Sequence, residues 1–194
     1  MKASFTILLI FFAGVAFGNE FKSGDVHLVE NVPVYLFSSP VESYTETGSI
    51  NTSFTGALIL SDEWEELAVD EKVNLIVRRA KRRLRRGTVA DFDAIMINRD
   101  GWVGTMIKFD EEKSTRSRVE MVDNVPIYVF NTPNRSYKEV GMLNNVFETT
   151  FSSRSVNSFV RRAKRKLRKG KIEEFDAIVI SNDGVRAFPI KFDN

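Results

Sequence analysis

The chain has 194 residues, with 28 basic and 26 acidic side chains, a formal charge of +2, one His and no Cys. That composition excludes a disulfide scaffold, a thiol nucleophile and a Cys or His metal cluster. With no phosphate-cradling glycine loop and no nucleophile elbow either, the sequence reads as non-enzymatic and without a cofactor.

Residues 1–18 read as a signal peptide: one Lys, an apolar run from Phe5 to Phe17, then Ala16-Phe17-Gly18, which suits cleavage before Asn19. The apolar run is short for a membrane span, and an uncleaved N-terminal anchor is the alternative. Small secreted eukaryotic domains lean on disulfides, so a Cys-free chain of this kind points to a bacterial periplasmic or secreted protein. Without Cys, no lipid can be attached at the end of the signal peptide.

The remainder is a tandem repeat. Val32-Pro-Val-Tyr-Leu-Phe37 returns as Val125-Pro-Ile-Tyr-Val-Phe130, a displacement of 93, while Phe92-Asp-Ala-Ile95 returns as Phe175-Asp-Ala-Ile178, a displacement of 83. The first copy therefore carries ten extra residues, placed within Gly56 to Val69 and including the run Asp62-Glu-Trp-Glu-Glu66. The division that follows is repeat 1 at residues 29–110, a charged surface linker at 111–121 and repeat 2 at 122–194.

Within a copy, the first strand is rich in β-branched and aromatic residues and stops at Ser38-Ser39-Pro40 or Asn131-Thr132-Pro133. A second strand is expected from Glu46 to Phe54, or Glu139 to Phe147, and a helix follows. Two closing strands, Ala94 to Ile97 and Gly104 to Phe109, flank Asn98-Arg-Asp-Gly101; Ser181-Asn-Asp-Gly184 stands at the same place in the second copy. Asp-Gly between apolar runs predicts a hairpin. The closing strands are apolar at consecutive positions, which predicts burial on both faces. A helix would cover one face, and the other would meet its counterpart in the second copy or in a second chain. The fold class expected is thus α+β: two ββαββ repeats, each an antiparallel-rich four-stranded sheet with one basic helix on one face.

That element order, with Pro40 to Tyr44 and Gly48 early and Phe92-Asp-Ala-Ile95 after the helix, resembles a small bacterial envelope domain. It is the domain of the outer-membrane stress-sensor lipoprotein of the Rcs phosphorelay and its relatives. The resemblance implies a fold and a compartment. Membrane tethering and redox-linked signalling are not implied, because the lipidation Cys and the disulfide pair are missing.

The helices carry the strongest signal. Val77 to Gly87 reads Val-Arg-Arg-Ala-Lys-Arg-Arg-Leu-Arg-Arg-Gly, and Val160 to Gly170 nearly repeats it. Val73, Ile76, Val77, Ala80 and Leu84, like Val156, Phe159, Val160, Ala163 and Leu167, recur at three and four and form one apolar stripe. The other positions of each basic run are Arg or Lys, and such a face repels itself by a few tenths of a kcal/mol per like-charged i,i+4 pair. Two readings compete. In the first, the faces bind a polyanion through Arg78, Arg79, Lys81, Arg82 and Arg85 and through Arg161, Arg162, Lys164, Arg165 and Arg168. Its partners would be anionic lipid, lipopolysaccharide or an acidic glycan. Sequence-specific nucleic-acid recognition is disfavoured, because no aromatic or base-reading residue interrupts the cations. In the second, the helices are neutralised internally by the acidic remainder, and the chain is a structural or protein-interaction module with an acidic protein partner. Monomer and homodimer both remain open. Asp93 and Asp176 are expected to bond backbone amides, Asp100 and Asp183 to serve hairpins, and Tyr44 and Tyr137 to pack at sheet edges.

Overall fold

The structure, a computed structural model, describes residues 23–51, 67–98, 103–144 and 151–193. The expected signal peptide, the acidic run Asp62–Glu66, Asp100 and the ends of both second strands past Asn51 and Asn144 lie outside them.

Half 1 begins with β1 (Ser23–Val26) and β2 (Leu28–Val29), then β3 (Val32–Leu36), β4 (Ser38–Pro40) and β5 (Tyr44–Ile50). Helix α1 (Val69–Arg85) precedes β6 (Ala94–Ile97) and β7 (Gly104–Phe109). Half 2 runs β8 (Arg116–Val122), β9 (Val125–Val129), β10 (Asn131–Pro133), β11 (Tyr137–Glu139) and β12 (Leu143–Asn144). Helix α2 (Ser153–Arg168), β13 (Ala177–Ile180) and β14 (Arg186–Phe192) complete it.

The expected pair of α+β, antiparallel-rich, four-stranded ββαββ repeats is not what forms. The described chain is mostly β, with two helices and fourteen strands in a nine-stranded sheet (β10-β1-β8-β9-β13-β14-β11, with β4 and β12 attached) and a five-stranded one (β2-β3-β6-β7-β5). Both sheets are mixed, because β3 pairs parallel with β6 and β9 parallel with β13. The physical reason lies in stretches read as strand stop and linker, or left outside both repeats. Residues 116–121 of the expected linker, together with Val122, form β8, and 23–29 are its counterpart. Asn131-Thr132-Pro133 does not end pairing but forms β10, which pairs with β1 of the other half, as β4 pairs with β8.

This exchange is two-fold symmetric in sequence. Gly24↔Pro133 and Pro40↔Ser117 are the same pair under the repeat displacement, and β1 and β8 pair antiparallel about Gly24↔Ser117. Two local geometries direct the chain into it. Glu30-Asn31 and Asp123-Asn124 have positive φ at both residues, the condition of a type I′ hairpin, which turns β2 into β3 and β8 into β9. Phe37 and Phe130 have φ of 53° and 56°, uncommon for an aromatic residue, and at these points the chain leaves its own sheet for the other half. Burial of both rings holds the strained backbone in place. At the centre, a Cβ on Gly24 would lie 2.6 Å from the Thr132 carbonyl oxygen, so no larger residue fits. The Ser117 hydroxyl donates to the Gly24 carbonyl at 2.9 Å and accepts from Asn131 Nδ2 at 2.9 Å.

Contrary to the expectation above, the apolar sheet faces remote from the helices do not pack on one another. Those faces form separate clusters, one around Tyr35, Ile107 and Phe109 and one around Tyr128, Ile190 and Phe192. The shared core is on the helix side, where the apolar stripes of α1 and α2 and the inner faces of both sheets join in one cluster. Phe37 meets Phe151 edge-on across it, with ring centroids 5.6 Å apart. The backbone N–H of Val69, at the start of α1, points at the Asp183 carbonyl of the β13–β14 hairpin, 3.5 Å away.

Candidate anion-binding faces

Both helices form on their apolar spacing. Val73, Ile76, Val77 and Ala80, and Val156, Phe159, Val160 and Ala163, are all buried, which turns the intervening cations outward. Each helix ends on a glycine with left-handed φ, Gly87 at 64° and Gly170 at 62°, and basic residues fill each last turn, where the helix dipole is negative.

The structure divides the sequence-derived site residues into two groups. In half 1, Arg78 Nε donates to Glu30 Oε1 at 3.1 Å and Lys81 Nζ lies 3.0 Å from Glu30 Oε2. Hydrogen bonds from Lys81 and then from Arg78 hold the Glu30 carboxyl below its ordinary pKa. Arg79 is also engaged. In half 2, Lys164 Nζ donates to the Asp123 carbonyl at 2.9 Å and stands 3.6 Å from its carboxylate, while Arg162 donates to the Asn144 carbonyl at 2.7 Å. Arg82, Arg85, Arg161, Arg165 and Arg168 have no carboxylate at salt-bridge distance among the described residues.

The two faces differ in their first turns. Helix α1 opens with Asp70 and Glu71, whereas α2 has no acidic residue there. An open groove of about 670 Å³ runs along α2, with Arg154, Asn157, Ser158, Arg161 and Arg165 among its lining residues. A second, of about 360 Å³, shares Arg162 and Arg165 and continues past Lys166 to Lys169 and Lys171. On half 1 a groove of about 450 Å³ overlaps the counterpart of this face only at Arg78 and Arg82, and it contains Glu30 together with Lys81.

The sequence reading missed Arg154 and the turn carboxylates. Arg154, Arg161 and Arg165 recur at seven and four, a helical spacing that would have placed them on one face. Glu30 and Asp123 were detectable as an acidic-Asn doublet between apolar residues, the composition of a tight hairpin.

Asp93, Asp176 and Asp183 serve the backbone. Asp93 Oδ2 accepts from the Phe109 N–H at 3.1 Å and Asp176 Oδ2 from that of Phe192 at 2.9 Å, each closing the start of a hairpin. Asp183 accepts from Ser181 Oγ and from the Val185 N–H inside its own turn. Tyr44 and Tyr137 pack against the two outer clusters. No helix among the described residues is long and apolar enough to cross a membrane.

No family model, no curated protein and no solved structure matches this chain. The functional reading therefore stands on the site itself.

Proposed function

We propose that the protein is a non-enzymatic binding protein of the bacterial envelope or its surroundings that holds a polyanion on its basic helical faces. The observation that carries this is the row Arg154, Arg161 and Arg165 along the groove on α2, continued by Arg168, with no carboxylate among the described residues to neutralise it. Cations left uncompensated beside a groove concentrate anions by simple Coulomb attraction. Insertion into a lipid surface is not favoured. Among the described residues the exposed large apolar ones, Leu28, Val41, Met121, Met142 and Val185, lie on strands and turns, whereas interfacial helices present theirs opposite the cations on the helix itself.

The second reading, an interaction module with internally neutralised helices, draws on Glu30, which compensates Arg78 and Lys81. Binding to acidic glycans, lipopolysaccharide, anionic vesicles and DNA at low and physiological salt separates the two, with the Arg161→Glu, Arg165→Glu, Arg168→Glu variant as control. Polyanion binding predicts salt-sensitive association that the reversed variant loses. Absence of binding to every probe at low salt, or equal binding by the reversed variant, would return the helices to the internal reading.

A further inference from the structure

The duplicated architecture supplies a comparison within one molecule. Arg78 and Arg161, Lys81 and Lys164, and Glu30 and Asp123 are equivalent positions of the two halves. In half 1 a carboxylate bridges the two cations, with Arg78 Nε at 3.1 Å from one oxygen and Lys81 Nζ at 3.0 Å from the other. Asp123 is one methylene shorter. It approaches Lys164 only at 3.6 Å, its side chain is 60% exposed against 37% for Glu30, and Arg161 is left out of the pairing. The difference is not in the turn backbone, since Glu30 and Asp123 have φ of 48° and 50°.

We propose that Arg161 and Lys164 bind an external carboxylate in the place that Glu30 fills in half 1, so that the protein has one open site, on α2, and one self-occupied site, on α1. This rests on the polyanion reading and narrows it to a carboxylate-bearing polymer. The ligand group is a carboxylate because half 1 shows that group seated between the same two cation types, and two-point charge-assisted hydrogen bonding is what favours it there. The polymer is an acidic glycan, built from uronic acids. Beyond Arg161 the groove is walled by Ser153, Arg154, Asn157 and Ser158, whose hydroxyl, guanidinium and amide groups suit sugar hydroxyls, and among the described residues no apolar side chain lines it to receive those of an acidic peptide. In half 1 the counterpart of Arg154 is Glu71, which would repel such a chain.

The test is calorimetric titration of the protein with polygalacturonate oligomers at low salt, with poly-L-glutamate as the rival probe. Loss of a charge-assisted hydrogen bond from a two-point site weakens binding by about tenfold or more. Arg161→Glu is expected to show that loss, and Arg78→Glu to change affinity little. Asp123→Glu should weaken binding comparably to Arg161→Glu, because the longer side chain reaches Arg161 and occupies the site from within. Glu30→Gln should free Arg78 and Lys81 for a second, weaker site, and Glu30→Gln combined with Glu71→Arg should raise the stoichiometry. Equal losses for Arg78→Glu and Arg161→Glu, or an unaffected Asp123→Glu, would overturn the assignment while leaving polyanion binding standing. Tighter binding of poly-L-glutamate than of polygalacturonate would overturn the glycan. Failure of the wild-type protein to bind any anionic probe at low salt would refute the underlying reading itself.

Discussion

Two glycines, both with left-handed φ but with different surroundings, give a direct measure of how the halves are joined. Gly170 ends α2 with φ of 62° and has nothing within 4 Å of where a Cβ would stand. Gly184, in the β13–β14 hairpin, has φ of 76°, but a Cβ there would lie 2.5 Å from Val69 Cγ2 and 2.9 Å from a ring carbon of Phe151. Alanine at either site incurs the left-handed backbone cost of about 1–2 kcal/mol. At Gly184 the clash adds overpacking of about 1–3 kcal/mol, since Val69 and Phe151 are both buried and neither can move into solvent. Gly170→Ala should therefore cost about 1–2 kcal/mol and Gly184→Ala about 2–5 kcal/mol, as the two terms combine. Val69 belongs to half 1 and Gly184 to half 2, so the strain falls on the shared core and should destabilise both halves together. Urea unfolding followed by far-ultraviolet circular dichroism measures this. A single transition is expected in each variant, with the midpoint of Gly184→Ala lowered well beyond that of Gly170→Ala. Equal midpoints would mean that the hairpin does not press on α1. A biphasic curve that loses half of the signal early would mean that the halves do not share one cooperative core.

Much of the local structure was legible because it obeys short-range rules. The apolar stripes of the helices, the Asp-Gly hairpin and the amide-bonding Asp93 and Asp176 each follow from a few neighbouring residues. The sheet architecture was not legible, for reasons that can be located. Arg-Ser-Arg-Val-Glu-Met-Val, residues 116–122, alternates weakly and carries charge on its outer face, so it reads as linker until the partner strand, β1, is known from 93 residues away. Phe37 and Phe130 carry no sign in sequence that their φ is positive, yet that one dihedral sends the chain into the other half instead of ending the strand. Pro40 and Pro133 suggested a stop, but each sits in a three-residue edge strand, where a missing N–H costs no ladder bond. For the site, the cations were evident and their partners were not. Whether Glu30 or Asp123 reaches a helix depends on one methylene and on where the hairpin lays the turn, which is decided by tertiary packing.

Three further predictions concern the junction and the charged faces. Removing the hydroxyl with Ser117→Ala leaves Asn131 Nδ2 without its buried partner and should cost about 1–3 kcal/mol; an unchanged melting temperature would show that water satisfies the amide. His27, between Thr132 Oγ1 and Asn182 and with its ring tilted against that of Phe130, is held by burial below its ordinary pKa of 6.5. Its contribution is therefore present above about pH 6.5 and is lost as pH falls through the lower folded value, because the unfolded chain takes up the proton first. His27→Gln should flatten that part of the stability profile, and an identical slope in the variant would remove His27 from the account. The last prediction separates the two functional readings without any ligand. On α2 the pairs Arg161/Arg165, Arg162/Lys166, Lys164/Arg168 and Arg165/Lys169 are like-charged at i,i+4, and at a few tenths of a kcal/mol each they sum to about 1–2 kcal/mol of standing repulsion. Salt screens interactions between exposed charges over about 10 Å at 0.1 M, so if these cations are uncompensated the protein must gain stability as salt is added. For a chain of this size that gain is a rise of about 2–8 °C in melting temperature between low and high salt, largely removed by Arg165→Glu, which turns two of the four repulsions into attractions. If carboxylates elsewhere in the fold neutralised the helices, screening would weaken attraction instead, and a melting temperature that falls with salt would decide against an open polyanion site.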